Sequence, residues 1–196
     1  MPTVEANDLR SCLGRFATGV TVVSYTADEE PRGATVNAFS SVSLDPPLIL
    51  VSIARTANAC LLLENNPFCV NVLAANQVDI AMNFAGRPTD RTVHWDHGDL
   101  APRLREPHAW LECSPWRAYD GGDHVLYLGE VQQLSIRPGS EPLLFHAGGF
   151  LRRGDGLDQH GLPIGRAVGH PLQPAADEDA AEIERFTREG FAEGWL

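Results

Sequence analysis

The sequence predicts a mainly β fold with a few helices, arranged as an antiparallel barrel and followed by a C-terminal extension. Six or more short runs of strand type lie within residues 19–152, against three stretches of helical periodicity. The runs do not alternate strictly with helices, and hairpin-type turns join several of them, which favours an antiparallel barrel over a doubly wound parallel sheet. After Gly154 the composition changes to a Gly/Pro-rich segment, which marks the start of the extension.

The N-terminal part is expected to contain one helix and three strand-like runs. Residues 8–18 are predicted to form an amphipathic helix, because their apolar side chains repeat at helical spacing. These side chains are Leu9, Cys12, Leu13 and Phe16. A β-branched strand at residues 19–25 and a turn at residues 28–33 follow. Residues 34–48 have the pattern of a strand with unusually small side chains, and residues 48–53 form the continuous apolar run of a strand buried on both faces.

The remaining elements of the barrel are two short helices and several strands. Residues 57–66 are expected to be helical, capped by Thr56 and ended by Pro67. A second short helix is expected at residues 76–84, where the side chains turned inward are Val78, Ile80, Ala81 and Phe84. Residues 86–107 are expected to form a loop. The predicted strands are residues 68–73, 108–120 and 124–136, with a strand pair in 142–152.

The chain is therefore divided into a barrel domain, residues 1–153, and a C-terminal extension, residues 154–196. The extension is expected to begin as a Gly/Pro-rich loop and to end in an acidic helix. Three apolar residues lie on that helix: Ile183, Phe186 and Phe191.

Composition and charge exclude several classes of protein. The chain has 196 residues, 43% of them apolar, and a formal net charge of −11, which disfavours binding to nucleic acid. All fifteen basic residues are Arg, so a Schiff-base lysine or P-loop lysine is excluded. Any anionic ligand must be bound by Arg, backbone N–H groups or hydroxyls. No apolar run approaches the ~20 residues of a membrane span, and no signal-peptide pattern is present, so we expect a cytoplasmic protein.

The reactive residue types show no common catalytic or metal-binding pattern. The four cysteines are expected to be buried small apolar residues; they are Cys12, Cys60, Cys69 and Cys113. The run at residues 94–97, HWDH, has no i, i+4 ligand pair, so no metal site is expected. There is no G-x-S-x-G elbow of a serine hydrolase. There is no Rossmann loop or Walker A motif either, so a dinucleotide would be bound by other means.

Two consecutive segments have the side chains of a site for an anionic, ring-bearing ligand. In residues 34–48 the small residues allow close approach to backbone N–H groups, and uncharged donors are available. These donors are Thr35, Asn37, Ser40 and Ser41. A polar edge strand would explain the same run. The segment SIARTAN adds Ser52, and it places Arg55 next to a predicted helix N-terminus, a combination that binds phosphate.

One histidine lies where it can reach a ligand at the barrel rim. His124 follows the tight turn Asp120-Gly121-Gly122-Asp123 and begins a strand. From this place it can donate to a carboxamide or phosphate. An ordinary surface or core histidine is the alternative explanation.

Together these motifs resemble one family, the short-chain flavin reductases, which are the reductase components of two-component flavin-dependent monooxygenases. The motifs are LRSCLGRFATGVTVVS, RGATVNAFSSVSLDPPLILVSI, FCVNVL, MNFAG, GGDHVLYLGEV and PLLFHAGGF, in this order within residues 8–152. The resemblance implies an FMN-binding split β-barrel and a homodimer with flavin near the subunit interface. It also implies reduction of FMN or FAD by NADH or NADPH, and release of the reduced flavin to a partner monooxygenase or halogenase.

The resemblance also implies a set of site residues. The flavin-binding residues would be Thr35, Val36, Asn37, Ala38, Phe39, Ser40, Ser41, Val42, Ser52, Arg55, Thr56, Ala57, Phe84 and Ala85. His124 and Phe150 would contact the nicotinamide nucleotide. No catalytic side chain is expected, because hydride passes from one cofactor to the other. The choices between FMN and FAD, and between NADH and NADPH, stay open.

Two other functions fit the same binding segments. One is a split-barrel oxidoreductase that retains its flavin. The other is a flavin-binding module without catalytic activity.

Overall fold

The barrel is built from short strands joined by tight turns, with two helices and one 3-10 turn. The structure, a computed structural model, describes residues 4–154. Its helices are α1 (Ala6–Leu13) and α2 (Val78–Phe84), and a 3-10 turn spans Asn58–Leu61. The strands are β1 (Thr18–Gly19), β2 (Thr21–Ala27), β3 (Glu30–Val36), β4 (Phe39–Leu44), β5 (Pro47–Ala54), β6 (Phe68–Val72), β7 (Trp95–Asp96), β8 (Arg103–Leu104), β9 (Ala109–Gly121), β10 (His124–Ile136), β11 (Leu143–His146) and β12 (Gly149–Arg152).

Seven strands form one curled antiparallel sheet in the order β3-β2-β6-β9-β10-β5-β4. Its two edge strands, β3 and β4, are separated in the chain by only Asn37 and Ala38. The sheet must therefore bend until its edges approach each other, and the N–H of Ser52 donates to the carbonyl of Ala38 at 3.0 Å. The two edges do not pair as a ladder, so the barrel stays open along one side. A three-stranded sheet, β1-β11-β12, and the β7-β8 pair complete the described part.

Two apolar cores lie on the opposite faces of the sheet. The first core, inside the barrel, includes Val23, Val51, Ile53 and Phe68. The second core lies between the sheet, α2 and the small sheet, and includes Val20, Val22, Leu73, Ile80 and Leu143. Strand β2 contributes to both cores, which explains why five successive residues, 21–25, are buried. Burial of each such aliphatic side chain contributes roughly 1.5–3 kcal/mol.

Gly129 in β10 is required by the packing of the inner core. A Cβ at this position would lie 2.5 Å from the Phe68 ring and 2.8 Å from the Cβ of Cys113. The ladder between β9 and β10 shifts register at the same place. A real Cβ is not tolerated at such distances. This glycine of the GGDHVLYLGEV motif therefore allows Phe68 and Cys113 to pack against β10.

The long loop between α2 and β9 is held by buried polar groups. Glu112, fully buried on β9, accepts from the N–H of Leu100 at 3.2 Å and pairs with Arg103 at 3.3 Å. Asn71, also buried, accepts from the N–H of Leu104 at 2.9 Å. A buried carboxylate needs such partners because its desolvation is costly. The sequence pattern suggested a loop here but not these anchors.

The cysteines and α1 differ partly from expectation. Cys60, Cys69 and Cys113 are buried as predicted, and burial raises the pKa of the Cys69 thiol and raises the pKa of Cys113 to about 12. Cys12 is exposed, so that prediction was wrong. Helix α1 is also shorter than the predicted 8–18, and it buries no residue. Its apolar face has the expected periodicity but no covering surface among the described residues.

Three local predictions were wrong for identifiable reasons. Residues 57–66 form only a 3-10 turn, and Thr56 makes no cap, since Ala57 is at the N-cap position. A helix of ten residues has little intrinsic stability, so packing of Ala59, Cys60 and Leu63 decides the local shape. The predicted turn at residues 28–33 is confined to Asp28 and Glu29, which have positive φ.

Residues 34–48 are not one strand, because the chain bends at Asn37 and Ala38 into β4. The other predicted strands are confirmed, with ends shifted by one or two residues, and so is the helix at 76–84. The predicted extension lies outside the described residues, so the division of the chain at residue 153 stays a prediction.

Candidate functional site

A groove of about 710 Å³ opens where the barrel is split, between the edge strand β3 and the end of β5. Its volume lies within the range of small-molecule sites, roughly 300–1,000 Å³. The β2–β3 hairpin contributes Tyr25, Ala27, Asp28, Arg32, Gly33, Ala34, Thr35 and Val36. The end of β5 and the 3-10 turn contribute Ile53, Ala54, Thr56, Ala57, Asn58, Ala59 and Leu62. The C-terminal end of α2 contributes Phe84, Ala85 and Gly86.

The groove brings together some of the predicted flavin-binding residues and leaves others outside. Those that line it are Thr35, Val36, Thr56, Ala57, Phe84 and Ala85. Those that do not are Asn37, Ala38, Phe39, Ser40, Ser41, Val42, Ser52 and Arg55. Ser40, Ser41 and Val42 are exposed on the edge strand β4. Of the flavin-binding residues predicted in the two segments 35–42 and 52–57, only those nearest the split line the groove: Thr35 and Val36 from the first, and Thr56 and Ala57 from the second.

Thr35 has a role that the sequence did not suggest. Its side chain is buried, and its hydroxyl donates to the carbonyl of Ala81 in α2 at 2.7 Å. The last carbonyls of a helix lack intrahelical donors. The N–H of Ala85 is directed to Met82 and does not serve Ala81. The Thr35 hydroxyl thus ties α2 to β3, and its proton is not available to a ligand.

An aromatic wall is fixed by a glycine on the same face of β3. A Cβ at Gly33 would lie 3.0 Å from both Cδ1 of Phe84 and Cγ1 of Val22. The absence of a side chain therefore allows the Phe84 ring to pack closely against β3. The ring of Trp95 meets Phe84 edge-on, with centroids 5.6 Å apart. These contacts set the position of Phe84 in the groove.

Asp28 and Arg32 are the charged residues among those that line the groove. Arg32 is exposed and has no ion-pair partner within the described chain. It lies opposite the buried Tyr25 across the β2–β3 ladder. Burial raises the pKa of Tyr25, and the positive charge of Arg32 opposes that effect. Sequence reasoning missed Tyr25 and Arg32; the hairpin pairing around Asp28 and Glu29 is the signal that could have found them.

Arg55 faces away from the groove, towards the β9–β10 turn. Its Nε donates to the carbonyl of Gly122 at 2.8 Å, and Nη2 lies 3.3 Å from Oδ2 of Asp120. The pKa of Asp120 is lowered, first by the hydrogen bond from the N–H of Gly122 and then by Arg55.

His124 lies beside the groove and does not line it. It is the ladder partner of Ala54, which does line the groove, and its side chain is 14% exposed. Its Nδ1 is 2.8 Å from Oδ1 of Asp123. The hydrogen bond from His124 is the main reason that the pKa of Asp123 is lowered.

Phe150 lies on β12 and is not among the residues that line the groove. Its ring meets Phe145 edge-on, with centroids 5.5 Å apart. It packs against the second core, to which Phe84 of the groove wall also contributes. Phe150 therefore shares this core with Phe84 but does not line the groove itself.

Two negative findings concern the described residues, 4–154. They include no group of three or more His, Cys, Asp or Glu side chains that could hold a metal ion; in the HWDH run, Asp96 pairs with Arg105. No helix among them combines the length and the apolar character needed to cross a membrane.

Comparison with known proteins identifies the relatives of this chain. A family model described as "Flavin reductase like domain" matches residues 13–153. The chain is 42% identical over 160 residues to an NADH-dependent FAD reductase of Streptomyces globisporus, covering 77% of this chain and 87% of that protein. It is 40% identical over 152 residues to the FMN reductase (NADH) SmoA of Agrobacterium fabrum, with coverages of 76% and 86%.

A solved structure confirms the fold class. BorF, the flavin reductase component of a bacterial two-component tryptophan halogenase, superimposes with a TM-score of 0.70 at 40% identity. The match covers 78% of this chain and all of that one. The predicted split-barrel fold is thus confirmed.

Proposed function

This chain belongs to the flavin reductase-like family, and on that premise we propose that it is an NAD(P)H:flavin oxidoreductase. It reduces FMN or FAD with NADH or NADPH and supplies the reduced flavin to a partner flavin-dependent monooxygenase or halogenase. The observation that supports a flavin substrate most directly is the groove at the split of the barrel, with its aromatic wall and small, mostly uncharged lining.

The residues of the groove fit a flavin. Gly33, Ala34, Ala57 and Ala85 leave its walls free of bulky side chains, so a flat ring can approach the backbone closely. Phe84 supplies an apolar surface for such a ring. The ribityl phosphate needs a cation or hydrogen-bond donors. Because the chain has no Lys, the cation must be an Arg, and the other donors are backbone N–H groups and hydroxyls. Arg32 lines the groove and has no ion-pair partner within residues 4–154, and we assign it to the phosphate.

The protein's contribution to the reaction is binding and orientation. A bound nicotinamide would supply the hydride that a bound flavin would accept, and the residues of the site would hold the two rings in the orientation that this transfer needs. Thr56, which lines the groove after β5, would face the flavin, where a hydroxyl donor favours the negatively charged reduced form. His124 and Phe150 belong to the nicotinamide side. His124 positions that nucleotide, and the hydride transfer itself needs no side chain as acid or base.

We also propose that the protein acts as a homodimer in the cytoplasm. Edge strand β4 exposes Leu44 at 96% and Val42 at 48%, and Leu61 is 89% exposed. An unpaired edge with apolar side chains is a site for association. A second copy on β4 would also cover Ser40 and Ser41, which are exposed on that strand. Light scattering of the wild type and Leu44→Glu tests this: a monomeric wild type would contradict the proposal.

Turnover with free flavin distinguishes the proposed function from the alternatives. The purified protein is mixed with NADH or NADPH and excess FMN or FAD, and absorbance at 340 nm is followed. We expect steady loss of absorbance, and flavin that separates from the protein in gel filtration. Turnover with flavin retained through gel filtration would favour the oxidoreductase that keeps its cofactor. Retained flavin without turnover would favour the non-catalytic module.

A further inference from the structure

One arginine makes three bonds to a single turn. The Nε of Arg55 donates to the carbonyl of Gly122 at 2.8 Å. Its Nη2 lies 3.3 Å from Oδ2 of Asp120. Its backbone N–H donates to the carbonyl of Asp123 at 2.9 Å. Arg55 therefore holds the β9–β10 turn from both ends.

The turn itself is arranged to receive these bonds. Oδ1 of Asp120 accepts from the N–H of Gly122 at 2.8 Å, so one carboxylate joins the turn backbone to Arg55. Gly122 has φ near +79°, which favours glycine, and its carbonyl accepts from the guanidinium. A planar guanidinium can bind along one edge to two acceptors at fixed spacing. In Arg55 this edge consists of Nε and Nη2, which bind the Gly122 carbonyl and the Asp120 carboxylate.

The same turn determines how His124 presents its ring. Asp123, the last turn residue, accepts from Nδ1 of His124 at 2.8 Å. An ionised carboxylate only accepts hydrogen bonds, so Nδ1 carries a proton and Nε2 is left for a ligand. Because the side chain of Asp123 is exposed, its position depends on the turn backbone. That backbone is held at Asp123 and Gly122 by Arg55.

We propose that Arg55, through Asp120 and Gly122, is a positioning residue for His124 and does not bind the flavin phosphate. This inference rests on the proposed function, since it assigns His124 to the nicotinamide nucleotide. It also separates the roles of two arginines: Arg32 lines the groove and serves the flavin, whereas Arg55 serves the nucleotide side.

Steady-state kinetics of matched variants test the assignment. For Arg55→Gln and Asp120→Asn we expect the KM for NADH to rise about five- to tenfold, with kcat and the flavin KM changed less than about twofold. Arg32→Gln should show the opposite pattern, a raised flavin KM. Arg117→Gln is the control for loss of a positive charge, because Arg117 is exposed on β9 of the same hairpin and makes no ion pair within residues 4–154. A larger effect of Arg55→Gln on flavin than on NADH would overturn the proposal.

A double variant separates positioning from a purely structural role. In an enzyme that already carries His124→Ala, Arg55→Gln should cause no further rise in the KM for NADH, because its effect passes through the imidazole. Additive effects would contradict the proposal. Melting curves of all variants check that each is folded.

A spectroscopic measurement keeps this inference separate from the proposed function. Long-range ¹H–¹⁵N spectra should show Nδ1 of His124 protonated in the wild type and a mixture of tautomers in Arg55→Gln, whether or not the protein reduces flavin. An unchanged tautomer in Arg55→Gln would overturn the positioning role. Failure of wild-type turnover with an Nδ1-protonated His124 would instead contradict the proposed function alone.

Discussion

The wall of the groove and the turn that carries His124 belong to the same sheet but are stabilised in different ways. Gly33, Thr35 and Phe84 form the wall by close packing and a buried hydrogen bond from β3 to α2. The turn is held by Arg55, Asp120 and Asp123, all largely exposed. Buried contacts of the first kind depend little on salt or pH, whereas exposed ion pairs are weak and screened.

This difference in stabilisation corresponds to a difference in how the protein binds its two substrates, the flavin and the nicotinamide nucleotide. A flat ring needs a fixed wall, and rigid packing provides one. Both substrates enter and leave in each turnover, but the nucleotide meets a turn that is held by exposed bonds and can adjust at small cost. Variants of the wall should therefore change both stability and flavin binding, whereas variants of the turn should change mainly nucleotide kinetics, with only a small effect on stability.

The largest effect is expected for Gly33→Ala. The new Cβ would lie 3.0 Å from Phe84 and Val22, so the ring must move away from β3. Overpacking of this kind costs roughly 1–3 kcal/mol of folding free energy. We expect a lower melting temperature and weaker flavin binding, measured by fluorescence quenching of added FMN. Gly19→Ala is the matched control, because its Cβ would meet no atom within 4 Å. Unchanged flavin affinity in Gly33→Ala would refute the role of this contact.

The sequence predicts those parts of the site that depend on contacts between residues close together in the chain. The run 48–53 and the hairpin around residues 120–123 are predicted well, since periodicity and turn chemistry are encoded within a few residues. Thr56 and Phe84 are found through the resemblance. Arg32 is missed, because its place in the groove depends on the pairing of β3 with β2 and on the bend at Asn37.

The role of Arg55 likewise depends on a contact between residues far apart in the chain. In the sequence it lies within a phosphate-binding pattern, and only the ladder between β5 and β10 reveals that its neighbour is Asp120. The failure of the predicted helix at 57–66 has a similar origin, because long-range packing of Ala59 and Leu63 decides its shape. Local patterns predicted most of the strands and the helix at 76–84, and the contacts between elements determined the roles of the charged residues.

The next effect concerns the buried hydrogen bond of the wall. Thr35→Val keeps the shape but leaves the carbonyl of Ala81 without its donor, which costs roughly 1–3 kcal/mol. The C-terminal end of α2, with Phe84 and Ala85, should then be less firmly held. We expect a lower free energy of unfolding in urea and a moderate loss of flavin affinity. Thr35→Ser retains the hydroxyl and should restore most of both; failure of Ser to do so would mean that the methyl group, not the bond, is important.

On the side of the turn, His124→Ala should change nucleotide kinetics without changing stability much. The ring is at the rim and its main bond is to the exposed Asp123. We expect the KM for NAD(P)H to rise about tenfold, equivalent to about 1.4 kcal/mol, with flavin affinity nearly unchanged. Initial rates at varied NADH and saturating flavin measure this. Pyridine-nucleotide kinetics equal to those of the wild type would remove His124 from the site.

The smallest effect is a pH dependence that the turn has and the wall lacks. The pKa of Asp120 is lowered by the N–H of Gly122 and by Arg55, so its carboxylate stabilises the folded state. That contribution is fully present above the unfolded pKa of about 3.9 and is lost as the pH falls through the lower folded value. The melting temperature of Asp120→Asn should thus lie slightly below that of the wild type at pH 7, and the gap should close towards pH 3. The gap between Thr35→Val and the wild type should stay constant over the same range, because a hydroxyl does not titrate there. If the Asp120→Asn gap were equally independent of pH, the turn would owe its shape to its backbone bonds and not to the ion pair, and the contrast between the two sides would disappear.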